Sequence, residues 1–434
     1  MLILSTLENG FRQVAETILQ RASDVTDPSF HERERVVREI LERVRVGGDE
    51  AVAFWERQFG WKDCQPDRLA LPREEWISAA KAVSQKVLEA LTRAKERLEF
   101  YHQHQKPKSW SVERDGTVIG ERFLPIKKVG IYVPGGRARY PSTVLHAGVP
   151  AQIAGVPEIY LVTPPDPEGH IAPEVLRAAE MIGVKSVFRV GGAHGIAALA
   201  FGTETVPKVD KIVGPGGLYP VMAKKLLYGT VGIDLLPGPS EVAVVADDSA
   251  PAPWVAYELL AQAEHGPDSI AHLFSPSLKL IRQVHRLIGK RVSKGQFFLN
   301  SLLLIQTRDL SEAIALVNEG AYEHIALMTE DPTVWLDRIQ VGGAIFLGPQ
   351  TSVVFGDYLA GPSHILPTGR TARFSSGLTV SDFLVRSSFV SLSEKASATL
   401  SGPTAVLARS EGLPFHAQAA LARASLSRPR RRKR

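Results

Sequence analysis

Lys128-Val129-Gly130-Ile131-Tyr132-Val133-Pro134-Gly135-Gly136 is a short apolar run that stops on a Pro-Gly-Gly turn, with a helix-like stretch at 142–154 behind it. Outward from it the pattern repeats. Apolar runs at 159–162, 186–190, 211–213 and 232–236 alternate with helix-like segments at 172–182 and 195–201. A second set of runs follows at 242–246, 271–274, 302–305, 325–328 and 344–347. Strands alternating with helices make parallel sheets covered on both faces. The sequence therefore predicts an α/β protein with two doubly wound, Rossmann-like units. The first unit, 131–240, reads as an insertion in a discontinuous domain formed by 28–130 and 241–378.

The flanks read as helical. Residues 1–27 form an N-terminal extension, and helices are expected at 11–22, 31–46 and 49–58, with Asp49 as an N-cap. One long helix is expected from Arg73 to about Tyr101, because Trp76, Ala80, Val83, Val87, Leu91, Ala94 and Leu98 recur every three or four residues. Residues 379–434 read as a helical C-terminal segment that ends in the basic tail 428–434.

The totals are those of a soluble globular protein: 434 residues, 44% hydrophobic and 22% charged. No N-terminal apolar run has the length of a secretory signal or a membrane span, so a cytoplasmic protein is expected. The net charge of +5 is misleading, because 428–434 (Arg-Pro-Arg-Arg-Arg-Lys-Arg) carries six positive charges and the remainder is close to neutral. That tail reads as a solvated end rather than a nucleic-acid contact, since no base-reading module accompanies it. Cys64 is the single cysteine, which excludes an internal disulfide and any multi-cysteine zinc site.

Ligands of open α/β sheets sit at the carboxyl ends of strands. Three glycine turns fall there: 134–136, Gly191-Gly192, and Gly214-Pro215-Gly216-Gly217. None is a complete G-x-G-x-x-G, and singly each is a tight turn; three on one edge favour a nucleotide or anion site. A second group of chemistry-bearing residues lies elsewhere. Gln262 and His265 share a helix face in a run that opens with Pro251 and Pro253 and stops at Gly266. Glu323-His324 precedes a strand, where an imidazole suits proton abstraction and a carboxylate suits activation of water. Asp357 with His364 and Glu411 with His416 follow, and Ser240 lies between the two α/β units. A helix-terminal histidine or an exposed acid has bland explanations, and only the company of these residues raises a metal role.

The stretches 131–136, 260–269, Glu323-His324, Gly356-Asp357-Tyr358 with 364–368, and Glu411 with His416 resemble histidinol dehydrogenase, in order and over about 35–424. The resemblance implies an NAD-dependent enzyme with one zinc per subunit that oxidises L-histidinol to L-histidine through the aldehyde. It implies zinc ligands Gln262, His265, Asp357 and His416, catalytic Glu323 and His324, and NAD contacts at Tyr132, His194 and Gly217. It implies substrate contacts at Ser240, Gln262, His265, His324, Asp357, His364, Glu411 and His416. It further implies that most of the zinc and substrate site lies in the discontinuous domain, that the inserted domain binds NAD, and that the chain is a homodimer. The C-terminal segment would cross to the partner, so that Glu411 and His416 complete the neighbouring site. The chain departs from the family pattern at His194 (usually glutamine), Gly217 (asparagine), Tyr322 (proline) and Ser363 (asparagine). Those departures leave two alternatives: a paralogue oxidising another small alcohol, and a catalytically inactive zinc-binding protein.

Overall fold

The structure, a computed structural model, describes residues 1–8, 11, 28–135, 139–292 and 302–426. The helix expected at 11–22 (save its first residue), Gly136 and the basic tail lie outside the described residues.

Strand β1 (Leu2–Ser5) opens the chain and helix α1 (Pro28–Phe59) follows. The two helices expected at 31–46 and 49–58 form this single run, broken at Gly48, where φ is 53° and ψ −137°. The positive φ at Gly48 is a conformation that side-chain-bearing residues rarely adopt, so the backbone there demands glycine. Asp49 does not cap its helix; its carboxylate accepts the Thr203 and Thr205 hydroxyls. Next come β2 (Ala70–Leu71), α2 (Arg73–Ala80) and α3 (Gln85–Gln103). The single long helix expected here is two, because Ser84 turns to φ −62°, ψ 149° and its hydroxyl accepts the Val87 N–H.

The chain continues through β3 (Trp110–Arg114), β4 (Thr117–Pro125), β5 (Lys128–Tyr132), α4 (Pro141–Ala154), β6 (Glu158–Thr163) and α5 (Pro173–Met181). Then follow β7 (Ser186–Arg189), α6 (Gly192–Phe201), β8 (Lys211–Val213), α7 (Leu218–Leu227) and β9 (Gly232–Ile233). The second set is β10 (Glu241–Ala246), α8 (Ala252–Ala263), β11 (Ile270–Ser275), α9 (Leu278–Val292), β12 (Leu302–Gln306) and α10 (Leu310–Gly320). It ends with β13 (His324–Met328), α11 (Thr333–Leu336), β14 (Ala344–Leu347) and α12 (Val353–Tyr358). The last elements are β15 (Leu384–Leu392), α13 (Glu394–Ser410) and α14 (Pro414–Leu426).

These elements divide into two compact units, one of residues 1–105 and 126–383, the other of 106–125 and 384–434. The first unit holds two six-stranded sheets. One has the order β2-β7-β6-β5-β8-β9 and is parallel except where β2 runs against β7. Its order reverses at β5, so a crevice opens beyond the carboxyl ends of β5 and β8. The other has the order β1-β12-β11-β10-β13-β14 and is parallel throughout. All of Glu241–Ala246 is buried, as a central strand covered on both faces requires. Alternate residues serve opposite faces: Val242, Val244 and Ala246 join one apolar cluster, Ala243 and Val245 another. The two α/β layers are thus those the alternation predicts. Residues 1–27 are not helical throughout, because Leu2–Ser5 extends the second sheet by pairing with Leu303–Gln306.

The second unit contains an antiparallel sheet, β15-β4-β3, and the helical pair α13 and α14. Its nine-residue strand Leu384–Leu392 lies in the stretch read as helical. It is in register with β4 from Leu384↔Pro125 to Leu392↔Thr117, a pairing far away in sequence that no local pattern announces. Among the described residues no helix is long and apolar enough to cross a membrane.

Candidate functional site

Glu323, His324 and Asp357 meet at the amino edge of the second sheet. Glu323 and His324 enter β13, and both are about 5% exposed. Parallel pairing sets β13 beside β10, and this brings Glu241 against them. The Glu241 backbone N–H donates to Glu323 Oε2 at 2.9 Å, and the Glu241 carbonyl faces His324 Nδ1 at 3.0 Å. A carbonyl only accepts, so Nδ1 carries a proton and Nε2 is the atom left for chemistry. Nε2 lies 3.7 Å from Asp357 Oδ1, and Nδ1 lies 3.4 Å from Glu323 Oε2. Burial alone pulls the His324 pKa down, but the Glu323 and Asp357 carboxylates outweigh it and hold it up to about 9. Neutralising Asp357, as a bound cation would, removes one of those two fields and moves the imidazole toward the neutral form that a base needs.

Gln262 and His265 come from the end of α8. The helix stops at Ala263, His265 lies just beyond it, and its N–H returns to the Gln262 carbonyl at 3.3 Å. His265 is exposed, whereas Gln262 is 5% exposed. The Gln262 amide nitrogen is buried without a hydrogen-bond partner. Since the two ends of an amide are assigned by their partners, an unpartnered buried amide has an atom to spare for a ligand. Asp357 sits near the end of α12, and its side chain is 25% exposed. Among the described residues no three His, Cys, Asp or Glu side chains cluster as a complete metal site would. Gln262, His265 and Asp357 form an amide, an imidazole and a carboxylate, a donor mixture suited to zinc.

His364 is fixed from three sides. Its Nδ1–H donates to the Asp357 carbonyl at 2.9 Å, and its Nε2 faces Thr143 Oγ1 at 3.1 Å. Its backbone N–H donates to His146 Nδ1 at 3.0 Å, and the two rings stack 4.0 Å apart at 13°. Burial holds the pKa of His364 below the ordinary value and that of His146 well below it. Ser363, beside His364, donates its hydroxyl to the His146 carbonyl at 3.2 Å. Ser240 is half-buried immediately before β10, and its carbonyl accepts the Ile270 N–H at 2.9 Å.

At the carboxyl edge of the first sheet the glycine turns, Gly136 aside, fall where the sequence puts them, after β5, β7 and β8. Tyr132 ends β5 and is 3% exposed, and its hydroxyl accepts the Gly192 N–H at 3.2 Å. His194 lies in the first turn of α6, only 1% exposed, with Nε2 at 2.8 Å from Glu56 Oε1. The same Glu56 oxygen accepts the Gly191 N–H, and the Phe59 ring stacks on His194. The far nitrogen of His194, Nδ1, is buried without a partner. Gly217 is the exposed N-cap of α7, at φ −68° and ψ −177°. Open space surrounds the place where its side chain would stand.

Glu411 and His416 belong to the second unit. Glu411 is the C-cap of α13, His416 lies in the first turn of α14, and both are exposed. Cys64 is fully buried, and burial pushes its thiol up to about 12, the reverse of a nucleophile's environment.

Three residues around this site carried no signal of their own in the sequence. Glu241 acts through its backbone. His146 is the lone histidine of a mostly apolar helix. Glu258, 7% exposed, accepts the Ser352 hydroxyl at 2.8 Å and the Val353 N–H at 2.6 Å. Its place one turn before Gln262 on the same helix face is the only local hint.

The sequence model of a family described as histidinol dehydrogenase matches residues 24–424. The chain is 44% identical over 408 residues to a protein named histidinol dehydrogenase 2 from Trichormus variabilis, a match covering 92% of this chain and 94% of the relative. It is 42% identical over 429 residues to a histidinol dehydrogenase from Nitrosomonas europaea, covering 97% and 98%. The crystal structure of a histidinol dehydrogenase from Elizabethkingia anophelis superposes with a TM-score of 0.90 at 31% identity, covering 98% of each chain.

Proposed function

Since the chain belongs to the histidinol dehydrogenase family and is an oxidoreductase, we propose that it oxidises L-histidinol to L-histidine in two successive hydride steps, with Glu323 and His324 as its catalytic pair. The observation that carries this reading is the setting of His324: Nδ1 is committed to the Glu241 carbonyl, which leaves Nε2 as the working atom beside Asp357. His324 Nε2 takes the hydroxyl proton of the alcohol as hydride leaves the carbinol carbon, giving the aldehyde. Glu323, held by the Glu241 N–H, accepts a proton from the water that adds to that aldehyde. The hydrate then loses its second hydride and a further proton to give the carboxylate. His364, with both ring nitrogens and its backbone N–H engaged, forms a fixed wall for the substrate.

Gln262, His265 and Asp357, with His416 and Glu411 supplied by a partner subunit, are the residues that would hold one zinc and the substrate. A set split in this way never assembles three His or acidic ligands within one chain. Zinc, when bound, orients the amino alcohol and withdraws charge from its oxygen; NAD, when bound, accepts the hydrides. The NAD site lies at the carboxyl edge of the first sheet. Gly217 opens α7 there with no side chain in the way, and Tyr132 and His194 shape the adjoining Gly191-Gly192 turn from within. We place the enzyme in the cytoplasm as a homodimer.

The test is the stoichiometry of NADH release from L-histidinol with zinc present. Two NADH per substrate support the reading. One NADH, or turnover of other small alcohols but not histidinol, identifies a paralogue with a different substrate. Full activity in strong chelator, with no metal by elemental analysis, removes zinc from the scheme.

A further inference from the structure

Glu258 joins the two elements that carry the proposed metal donors. It stands on α8 one turn before Gln262, and its carboxylate crosses to the start of α12, which carries Asp357. Oε2 accepts the Ser352 hydroxyl at 2.8 Å, and Oε1 accepts the Val353 N–H at 2.6 Å. Ser352 is the N-cap of α12. A helix of six residues has no independent stability, so its placement comes from what grips its ends. Here the grip is a buried carboxylate with both oxygens engaged, an arrangement stronger and more directional than neutral hydrogen bonds. Asp357 is the fifth residue of that helix, so any shift of its N-terminus is passed to the donor within one turn.

We infer that Glu258 is a positioning residue for the metal, setting the separation between Gln262 on α8 and Asp357 on α12. The inference rests on the zinc reading proposed above and extends it to a residue that touches neither metal nor substrate. Zinc ligands hold affinity only within a few tenths of an ångström of their ideal distances, so a strut between two donor-bearing elements is felt as affinity. Loss of an outer partner of this kind typically costs 10–100-fold in metal affinity.

The experiment is a titration of the metal-free, full-length protein with zinc alone, alongside its melting temperature, for the wild type and three variants. Glu258→Ala removes the strut, and its zinc dissociation constant should rise about 10–100-fold. Glu258→Asp keeps the charge but is one methylene too short to hold both partners, and should weaken zinc by about tenfold. Glu258→Gln keeps the reach, with an oxygen for the Val353 N–H and an amide proton for the Ser352 oxygen, and should stay within about threefold of the wild type. Weak zinc in the aspartate variant with rescue in the glutamine variant supports positioning by reach. Wild-type zinc affinity in both, even with a lowered melting temperature, makes Glu258 purely structural and overturns the inference. If the alanine variant does not fold, the aspartate and glutamine pair decides the matter by itself. A wild-type protein that takes up no zinc overturns the metal reading and the strut together, an outcome plainly different from unaltered affinity in the variants.

Discussion

The buried contact between Glu56 and His194 offers a sharp test of what holds the carboxyl edge of the first sheet together. His194 Nε2 and Glu56 Oε1 are 2.8 Å apart, with side chains 1% and 4% exposed. The carboxylate has one other described partner, the Gly191 N–H, and the imidazole is covered by Phe59. In His194→Ala the carboxylate keeps Gly191 but loses its imidazole while remaining cut off from water. Leaving a buried carboxylate short of a hydrogen-bond partner costs about 1–3 kcal/mol, mostly its desolvation. Glu56→Gln keeps an oxygen for Gly191 and places no charge in the interior, so its cost should be close to that of one hydrogen bond, about 1 kcal/mol. The double variant should then be more stable than the sum of the two losses implies, by roughly 1–3 kcal/mol. His194→Gln should cost little, because the glutamine amide can reach the same carboxylate. The assay is urea unfolding of the wild type and all four variants, followed by circular dichroism and tryptophan fluorescence. If His194→Ala costs less than about 1 kcal/mol, or the double variant is additive within about 0.5 kcal/mol, the pair is not the anchor described here.

Other outcomes follow from the site. His324→Ala should lower turnover of histidinol and of histidinal alike, by about two to four orders of magnitude, whereas Glu323→Gln should slow mainly the aldehyde step; equal losses on both substrates contradict that division. Gly217→Asn fits the backbone and the open space at the α7 N-cap, so it should fold as the wild type does and bind NAD a few-fold more tightly, measured by fluorescence titration. His146 is buried with its pKa held well below the usual value, so protonation favours the unfolded chain. Its contribution to stability is complete above pH 6.5 and is lost as pH falls below it, with a slope of about 1.4 kcal/mol per pH unit. His146→Asn, which retains an acceptor for the His364 N–H, should flatten the fall in urea midpoint between pH 7 and 5, and an unchanged slope counts against the assignment.

The sequence by itself determined the α/β layers. A covered parallel strand must be apolar along its whole length, and a run such as 129–133 or 242–246 announces itself without reference to anything distant. It also placed the glycine turns on one edge of one sheet, because each directly follows its strand. Residue types drew attention to Glu323-His324, His265, and Asp357 with His364, but Gln262 and every role in the site came from the family resemblance, not from spacing. Local reading failed where one residue decides. Ser84 splits a stripe that is periodic through it, whereas the break at Gly48 falls between the two helices expected on either side of it. Tertiary structure alone decided the rest. Strand β15 exists because β4, more than 250 residues earlier, offers it hydrogen bonds along nine residues in register. Glu258 meets Ser352 across 94 residues, Glu56 meets His194 across 138, and His146 meets His364 across 218. No spacing rule reaches so far, because such partners are chosen by which elements the sheets bring side by side, and a buried polar group is stable only where that packing supplies its partner.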